Sequence, residues 1–158
     1  MRLEDDVLYL MSLVLHRYFD GMAAEFHRRR LGRSEWRCLA VLAEQDGRNV
    51  GELAELTQQP QTTISRVIMR MENNGWVRRS QRQDNARFVE VHISARGRDK
   101  LAEILPIVRA HHDDALAGLT RAEQQALRAQ LRTMLGNLGA DEFGLPRPRT
   151  SARRVRRR

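Results

Sequence analysis

The sequence predicts a mainly α-helical fold interrupted by one small β-hairpin. Two short helical patterns lie close together, Gly51–Leu56 and Gln58–Trp76, the first ending three or four residues before Pro60, which is the interval of a helix-turn-helix. Two strand patterns, Val77–Gln81 and Phe88–Ile93, follow at once, and a helix-turn-helix that runs straight into a hairpin is a winged helix. Longer apolar helical patterns flank this block on both sides.

Residues 5 to about 30 form the first helix. Val7, Leu8, Met11, Val14, Leu15, Tyr18, Phe19, Met22 and Phe26 make an apolar band wider than one stripe. A wide band needs two partners, the chain's own core on one side and a second subunit on the other. Met11 and Met22 suit plain core packing, and also a soft, adaptable ligand lining. Arg28, Arg29 and Arg30 close the helix as a solvated cap at the negative end of its dipole, and Gly32 breaks it. Ser34 is the expected N-cap of a second helix that continues through Leu39, Val41 and Leu42 to Gly47. Val50–Leu56 is a third helix that braces the next one.

That next helix, within QQPQTTISRVIMRMENNGW, carries the sharpest signal. Pro60 suits a first helical turn, where its missing N–H would be unpaired anyway, and Gly75 suits the position just past the end. Ile64, Val67, Ile68 and Met71 recur at helical spacing and make one inward apolar stripe. Thr62, Arg66, Met69 and Asn73 fall on the opposite face, flanked by Thr63, Ser65 and Arg70. A face of hydroxyls, amides and arginines without an acid suits phosphates and base edges; the plain alternative is a polar surface helix. The candidate contacts are Gln61, Thr62, Thr63, Ser65, Arg66 and Arg70.

In the wing, Val89, Val91 and Ile93 alternate against Phe88, Glu90 and His92, and Gln83–Ala86 is the turn. Arg82 and Arg87 flank that turn. They make either a solubilising tip or a contact to DNA backbone or minor groove, and the helix beside them favours the contact. Ser94 caps a fifth helix that runs to about Leu116, with a kink expected near Glu103 and Ile104 because of Pro106. Thr120 to Glu123 is a capping box opening a sixth helix, on which Leu127, Leu131, Leu135 and Leu138 share a face. Residues 146–158, PRPRTSARRVRRR, read as a disordered basic tail that adds sequence-independent affinity for DNA.

Charge distribution agrees with this layout. Residues 57–100 carry 9 basic and 4 acidic groups (+5) and residues 147–158 carry 7 and 0 (+7), whereas residues 1–56 and 101–146 are each at −2. Within the folded part, only the candidate recognition helix and the wing are basic, which points to a polyanionic partner there. With 158 residues, 41% hydrophobic and 30% charged, the chain is long enough for a real core. Its apolar runs are short or interrupted by charge and its start, MRLEDD, is acidic; the expectation is a cytoplasmic protein with no membrane partner. Cys38 is the only cysteine, which rules out an intrachain disulfide and a Cys-rich zinc site; it reads as a small buried hydrophobe rather than a redox sensor.

The run GELAELTQQPQTTISRVIMRMENNGWVRR, followed by DNARFVEVHISARG, resembles the MarR family of winged-helix transcription regulators. Leu53-Ala54, Thr63, Ser65-Arg66, Met71-Glu72, Gly75, Val77, Arg79, Arg87 and Ser94-x-x-Gly97 stand in register, and the resemblance covers roughly residues 5 to 138. One departure is local: the family's wing aspartate falls on Asn85, and the acid sits at Asp84. The resemblance implies residues 1–33 and 101–139 as dimerisation helices, 34–100 as the winged helix-turn-helix DNA-binding domain, and 140–158 as a tail. It implies a homodimer on a pseudo-palindromic duplex, acting as a repressor, with a small-molecule effector bound between the dimerisation helices and the winged helix. Candidate lining residues are His16, Phe19 and Trp36, an imidazole for an anionic group and two aromatics for a flat ring, with core or subunit-contact roles as the plain alternative.

No cofactor or metal is implied. His16, His27, His92, His111 and His112 are poorly spaced, and adjacent helical residues such as His111 and His112 point about 100° apart. Gly-rich phosphate loops, HExxH, GxSxG and Cys/His nucleophile signatures are missing from the sequence, so an enzyme is not expected. The alternative function is a DNA-binding or protein-interaction module without a small-molecule switch.

Overall fold

The computed structural model describes residues 2–81 and 89–139. The wing turn with Arg82 and Arg87, the strand residue Phe88 and the tail from residue 140 lie outside the described residues. The chain divides into two compact units, 1–118 and 119–158.

In the first unit, after a 3-10 turn at Leu3–Asp5, come helices α1 (Val7–Arg28) and α2 (Arg33–Glu44), the short strand β1 (Arg48–Asn49), and helices α3 (Val50–Thr57) and α4 (Gln61–Asn73). Strands β2 (Val77–Gln81) and β3 (Val89–Ile93) and helix α5 (Ala95–Ala115) complete it. The second unit holds helix α6 (Arg121–Asn137). The mainly helical fold with a small wing is as the sequence predicts, with one addition. The sheet has three strands in the order β1-β3-β2, all antiparallel, with Arg48 opposite Val91 and Arg79 opposite Val91 on the other side. Two residues are too short to show alternation, so β1 has no signature in the sequence.

Every element of the first unit except the 3-10 turn and β1 contributes to one core. Met22 and Phe26 of α1, Cys38, Leu39 and Leu42 of α2, Leu53 of α3 and the stripe Ile64, Val67, Ile68 and Met71 of α4 are buried with Trp76, Val77, Val91, Ile93 and Ile104. Each such side chain is worth on the order of 1.5–3 kcal/mol, which is why α4 has one face it cannot turn outward. Val89, expected on one face with Val91 and Ile93, is 38% exposed while those two are buried. Burial pushes the Cys38 thiol up to about 12, with Glu35 adding to the rise, so it stays a neutral hydrophobe at physiological pH.

Three helix ends differ from expectation. Ser34 does not cap α2; the N-cap is Gly32, whose N–H donates to the Glu35 carboxylate, while the Ser34 hydroxyl donates to Gln59 Oε1 at 2.8 Å. Pro60 is the N-cap of α4 rather than part of its first turn, with φ −56 and ψ 138. Residue Arg29 at the end of α1 is not a simple solvated cap, because its guanidinium pairs with Glu25 at 2.5 Å and faces Glu103 at 3.6 Å. The left-handed turn that stops α1 falls on Arg30, φ +51, rather than on Gly32. Helix α5 is continuous across Pro106. It docks on α1 through His111, whose ring lies 4.9 Å from that of Tyr18 and whose Nε2 is 2.9 Å from the Tyr18 carbonyl oxygen. Among the described residues no group of three or more His, Cys, Asp or Glu side chains is placed to hold a metal ion.

In the second unit the predicted capping box is present: the Thr120 hydroxyl accepts from Glu123 N–H at 3.3 Å, and the Glu123 carboxylate accepts from Thr120 N–H at 2.7 Å. The Thr120 hydroxyl also donates to that carboxylate at 2.7 Å, and this bond, with the one from the Thr120 N–H, holds the Glu123 carboxyl below the usual carboxylate range.

Candidate nucleic-acid interface

The turn between α3 and α4 sets the pose of α4. Gln58 adopts the left-handed conformation, φ +53, and its neighbour Gln59 donates its N–H to the Ala54 carbonyl at 2.9 Å. This folds the chain back on the end of α3, as a glycine would do with less strain. Buried Thr57 satisfies its hydroxyl by donating to the Leu53 carbonyl at 2.6 Å. At the other end of α4, Gly75 takes φ +71, the conformation expected for it just past the helix.

With the stripe of Ile64, Val67, Ile68 and Met71 turned inward, Gln61, Thr62, Thr63, Ser65, Arg66, Met69 and Arg70 are all exposed. Six of the candidate DNA contacts thus share one helix surface, and Met69 adds an apolar group, 51% exposed, of the kind that meets a thymine methyl. The single acid of α4, Glu72, is engaged elsewhere: it accepts from Arg79 N–H at 3.2 Å and from Arg79 Nε at 2.8 Å. The Arg79 guanidinium holds the Glu72 carboxyl below the usual carboxylate range. This pair clamps the first wing strand to α4. Asp46 anchors the second one by accepting from Ile93 N–H at 2.8 Å.

The effector candidates are placed less coherently. His16 is exposed and faces Asp20 at 3.1 Å. Phe19 is half-buried beneath the Arg33 guanidinium, 3.2 Å from the ring centroid, and both line a depression of about 390 Å³ with Asp20, Ala23, Phe26, His27 and Leu31. Trp36 packs against the core. Neither His16 nor Trp36 is among the residues lining that depression.

Residues that sequence reasoning missed are the positioning ones: Glu35, Arg33, Glu72 as a clamp, and Asp46. Glu35 meets Arg70 35 positions on, Arg33 meets Phe19 and Asp46 meets Ile93, while the Glu72–Arg79 pair and the bond of Glu35 to Gly32 are closer in sequence.

A model described as "MarR family" matches residues 31–89, the segment from the end of α1 to the start of β3. A solved MarR-family transcriptional regulator from Silicibacter pomeroyi is similar over nearly its whole length, at 31% identity and a TM-score of 0.79, covering 87% of this chain and 92% of that one. This chain belongs to the MarR family. A probable transcriptional regulator from Pseudomonas aeruginosa shows the same fold at 30% identity and a TM-score of 0.71, over 84% of this chain and 99% of that one. Among curated relatives, the HTH-type transcriptional repressor IacR of Pseudomonas putida is 26% identical over 137 residues, 87% of this chain and 82% of that protein. As a MarR-family member the chain is a DNA-binding transcription regulator built on a winged helix. No described helix is long and apolar enough to cross a membrane.

Proposed function

We propose that this MarR-family chain is a homodimeric repressor that reads a pseudo-palindromic operator with α4 and is released by a small aromatic acid. The observation that carries the reading is the exposed face of α4, in which hydroxyls, amides and two arginines gather while Glu72 is drawn off to the wing strand. Gln61, Thr62, Thr63, Ser65, Arg66 and Arg70 are proposed as contacts in the major groove. Arg82 and Arg87 are proposed as contacts at the wing tip, and the basic tail as a sequence-independent anchor. The curated relative IacR is a repressor, and repression is proposed here on that similarity.

The test begins with a footprint on the DNA flanking the protein's own gene. Arg66 lies mid-face and is able to make a bidentate base contact, so Arg66→Ala should cost about 1–3 kcal/mol on the protected site and relax sequence preference. Deleting residues 146–158 should instead weaken all duplexes alike and lower the salt slope. A tail deletion that abolishes discrimination while Arg66→Ala changes nothing would reverse these roles.

For the effector we propose the region of His16, Phe19 and Trp36, centred on the depression beside Phe19. A flat ring would take the place of the Arg33 guanidinium over Phe19 and leave that cation for the ligand's carboxylate. A panel of hydroxybenzoic-type acids, titrated against the DNA complex by fluorescence anisotropy, should release the duplex. Phe19→Ala should weaken that release about tenfold or more. His16→Ala with unchanged response would remove His16 from the site, and a wild-type complex that no acid of the panel releases would favour a regulator without a small-molecule switch.

A further inference from the structure

Arg70 is held from outside the helix that carries it. Its Nε donates to Glu35 Oε1 at 3.0 Å, and Glu35 sits in the first turn of α2, 35 positions earlier in the chain. The burial of the pair is lopsided: the Glu35 side chain is 6% exposed and that of Arg70 63%. The second carboxylate oxygen, Oε2, accepts the N–H of Gly32. Both oxygens of a buried acid are therefore engaged, and among the described residues Arg70 is the only cation paired with it. A carboxylate buried without a cation or donors is costly, so the α2 end of this contact is held in place by its own burial and the mobile partner is the arginine.

Geometry at the guanidinium gives this contact a consequence. Binding through Nε alone uses the side of the group and leaves its two Nη atoms at the far end, with no partner among the described residues. Those two Nη groups are the fork that grips guanine O6 and N7, or two phosphate oxygens, in a bidentate pair. We infer that Glu35 is a positioning residue for DNA reading: it grips Arg70 by Nε so that the Nη fork is presented outward, already oriented, on the recognition face. The inference rests on the assignment of that face to DNA made above. An arginine free to rotate would lose side-chain entropy on binding; one tethered to a buried carboxylate has lost it on folding. Lysine at position 70 has a single donor centre and is unable to hold Glu35 and grip a base edge together.

The test uses the full chain and a duplex recovered by selection from a randomised pool with the wild-type protein. Preference is measured as the affinity ratio between that duplex and a scrambled one, for wild type, R70A, R70K, E35L and the E35L/R70A double variant, alongside thermal unfolding of each. R70A should lower the ratio about tenfold, R70K should resemble R70A, and E35L should lower it several-fold with its unfolding transition retained. The double variant should be no worse than R70A alone, because Glu35 acts only through Arg70. E35L with an undiminished ratio beside a defective R70A, or losses that simply multiply in the double variant, overturns the positioning role. R70A with an undiminished ratio overturns the contact itself, a distinct failure. Should E35L lose its folding transition, E35Q replaces it. Its amide serves only one of the two donors, so a partial loss of preference supports the role and an unchanged ratio overturns it.

Discussion

Gly97→Ala is expected to destabilise the winged helix by at least about 3 kcal/mol and to lower the melting temperature of the chain by about 6 °C or more. A Cβ at Gly97 would stand 2.1 Å from the Trp76 carbonyl oxygen, 3.0 Å from the Trp76 carbonyl carbon and 2.9 Å from Ile93 Cγ1. Two of those three atoms are backbone, and the backbone there is pinned. Trp76 O accepts from Ser94 N–H at 3.0 Å, and the Ser94 hydroxyl donates to the Gly75 carbonyl at 2.6 Å while accepting from Gly97 N–H at 2.9 Å. Relief requires α5 to withdraw from the start of β2, which breaks these bonds and opens the core at Trp76 and Ile93. A glycine chosen merely for helix flexibility would tolerate alanine, and usually gain from it. Calorimetry on the purified variant decides: a melting temperature within about two degrees of wild type would show that the junction relaxes freely.

The second large effect concerns assembly. The first half of α1 exposes Val7, Leu8, Val14 and Leu15 at 60%, 63%, 62% and 55%, and Leu10 and Leu13 at 44% and 40%. No residue of α6 is buried, although Leu131, Met134 and Leu135 are half-covered and Leu127 and Leu138 are exposed. Apolar faces of this extent mark contact surfaces, and a second copy of the chain is the proposed cover for each. Val14→Asp combined with Leu15→Asp should therefore give a monomer by sedimentation that still unfolds cooperatively, since neither side chain joins the core. Its affinity for the operator should fall more than about 100-fold, because a two-fold site is then met by one recognition helix at a time. A wild-type chain that is monomeric at micromolar concentration and still protects a full operator would rule out this assembly.

The exposed band of α1 was legible as a band too wide for one partner, because periodicity states how much of a helix is apolar. It does not state which half meets the core, and the structure assigns Met22 and Phe26 inward while leaving Val7 to Leu15 largely outside. The space around Gly97 was not legible at all. The Ser94-x-x-Gly97 spacing marks a helix start, but only the approach of Trp76 shows why the fourth position lacks a side chain.

The sequence by itself determined the elements whose signals are local. The stripe of Ile64, Val67, Ile68 and Met71, the turn at Gly75, the capping box at Thr120 and the strand Val77–Gln81 all appear where the residues indicate, because hydrogen-bonding period and side-chain period act over a few residues. The exposed face of α4 follows directly, since burying one stripe of a helix leaves the other outside. Only the tertiary structure decided the pairings between distant residues. Strand β1 exists because Arg48 and Asn49 meet β3; Ser34 turns from capping its own helix to Gln59; Arg33 covers Phe19; and Glu35 is buried against Arg70. A charged or hydroxyl side chain close to a helix start has several partners within reach, and which it takes depends on which distant group the core brings beside it.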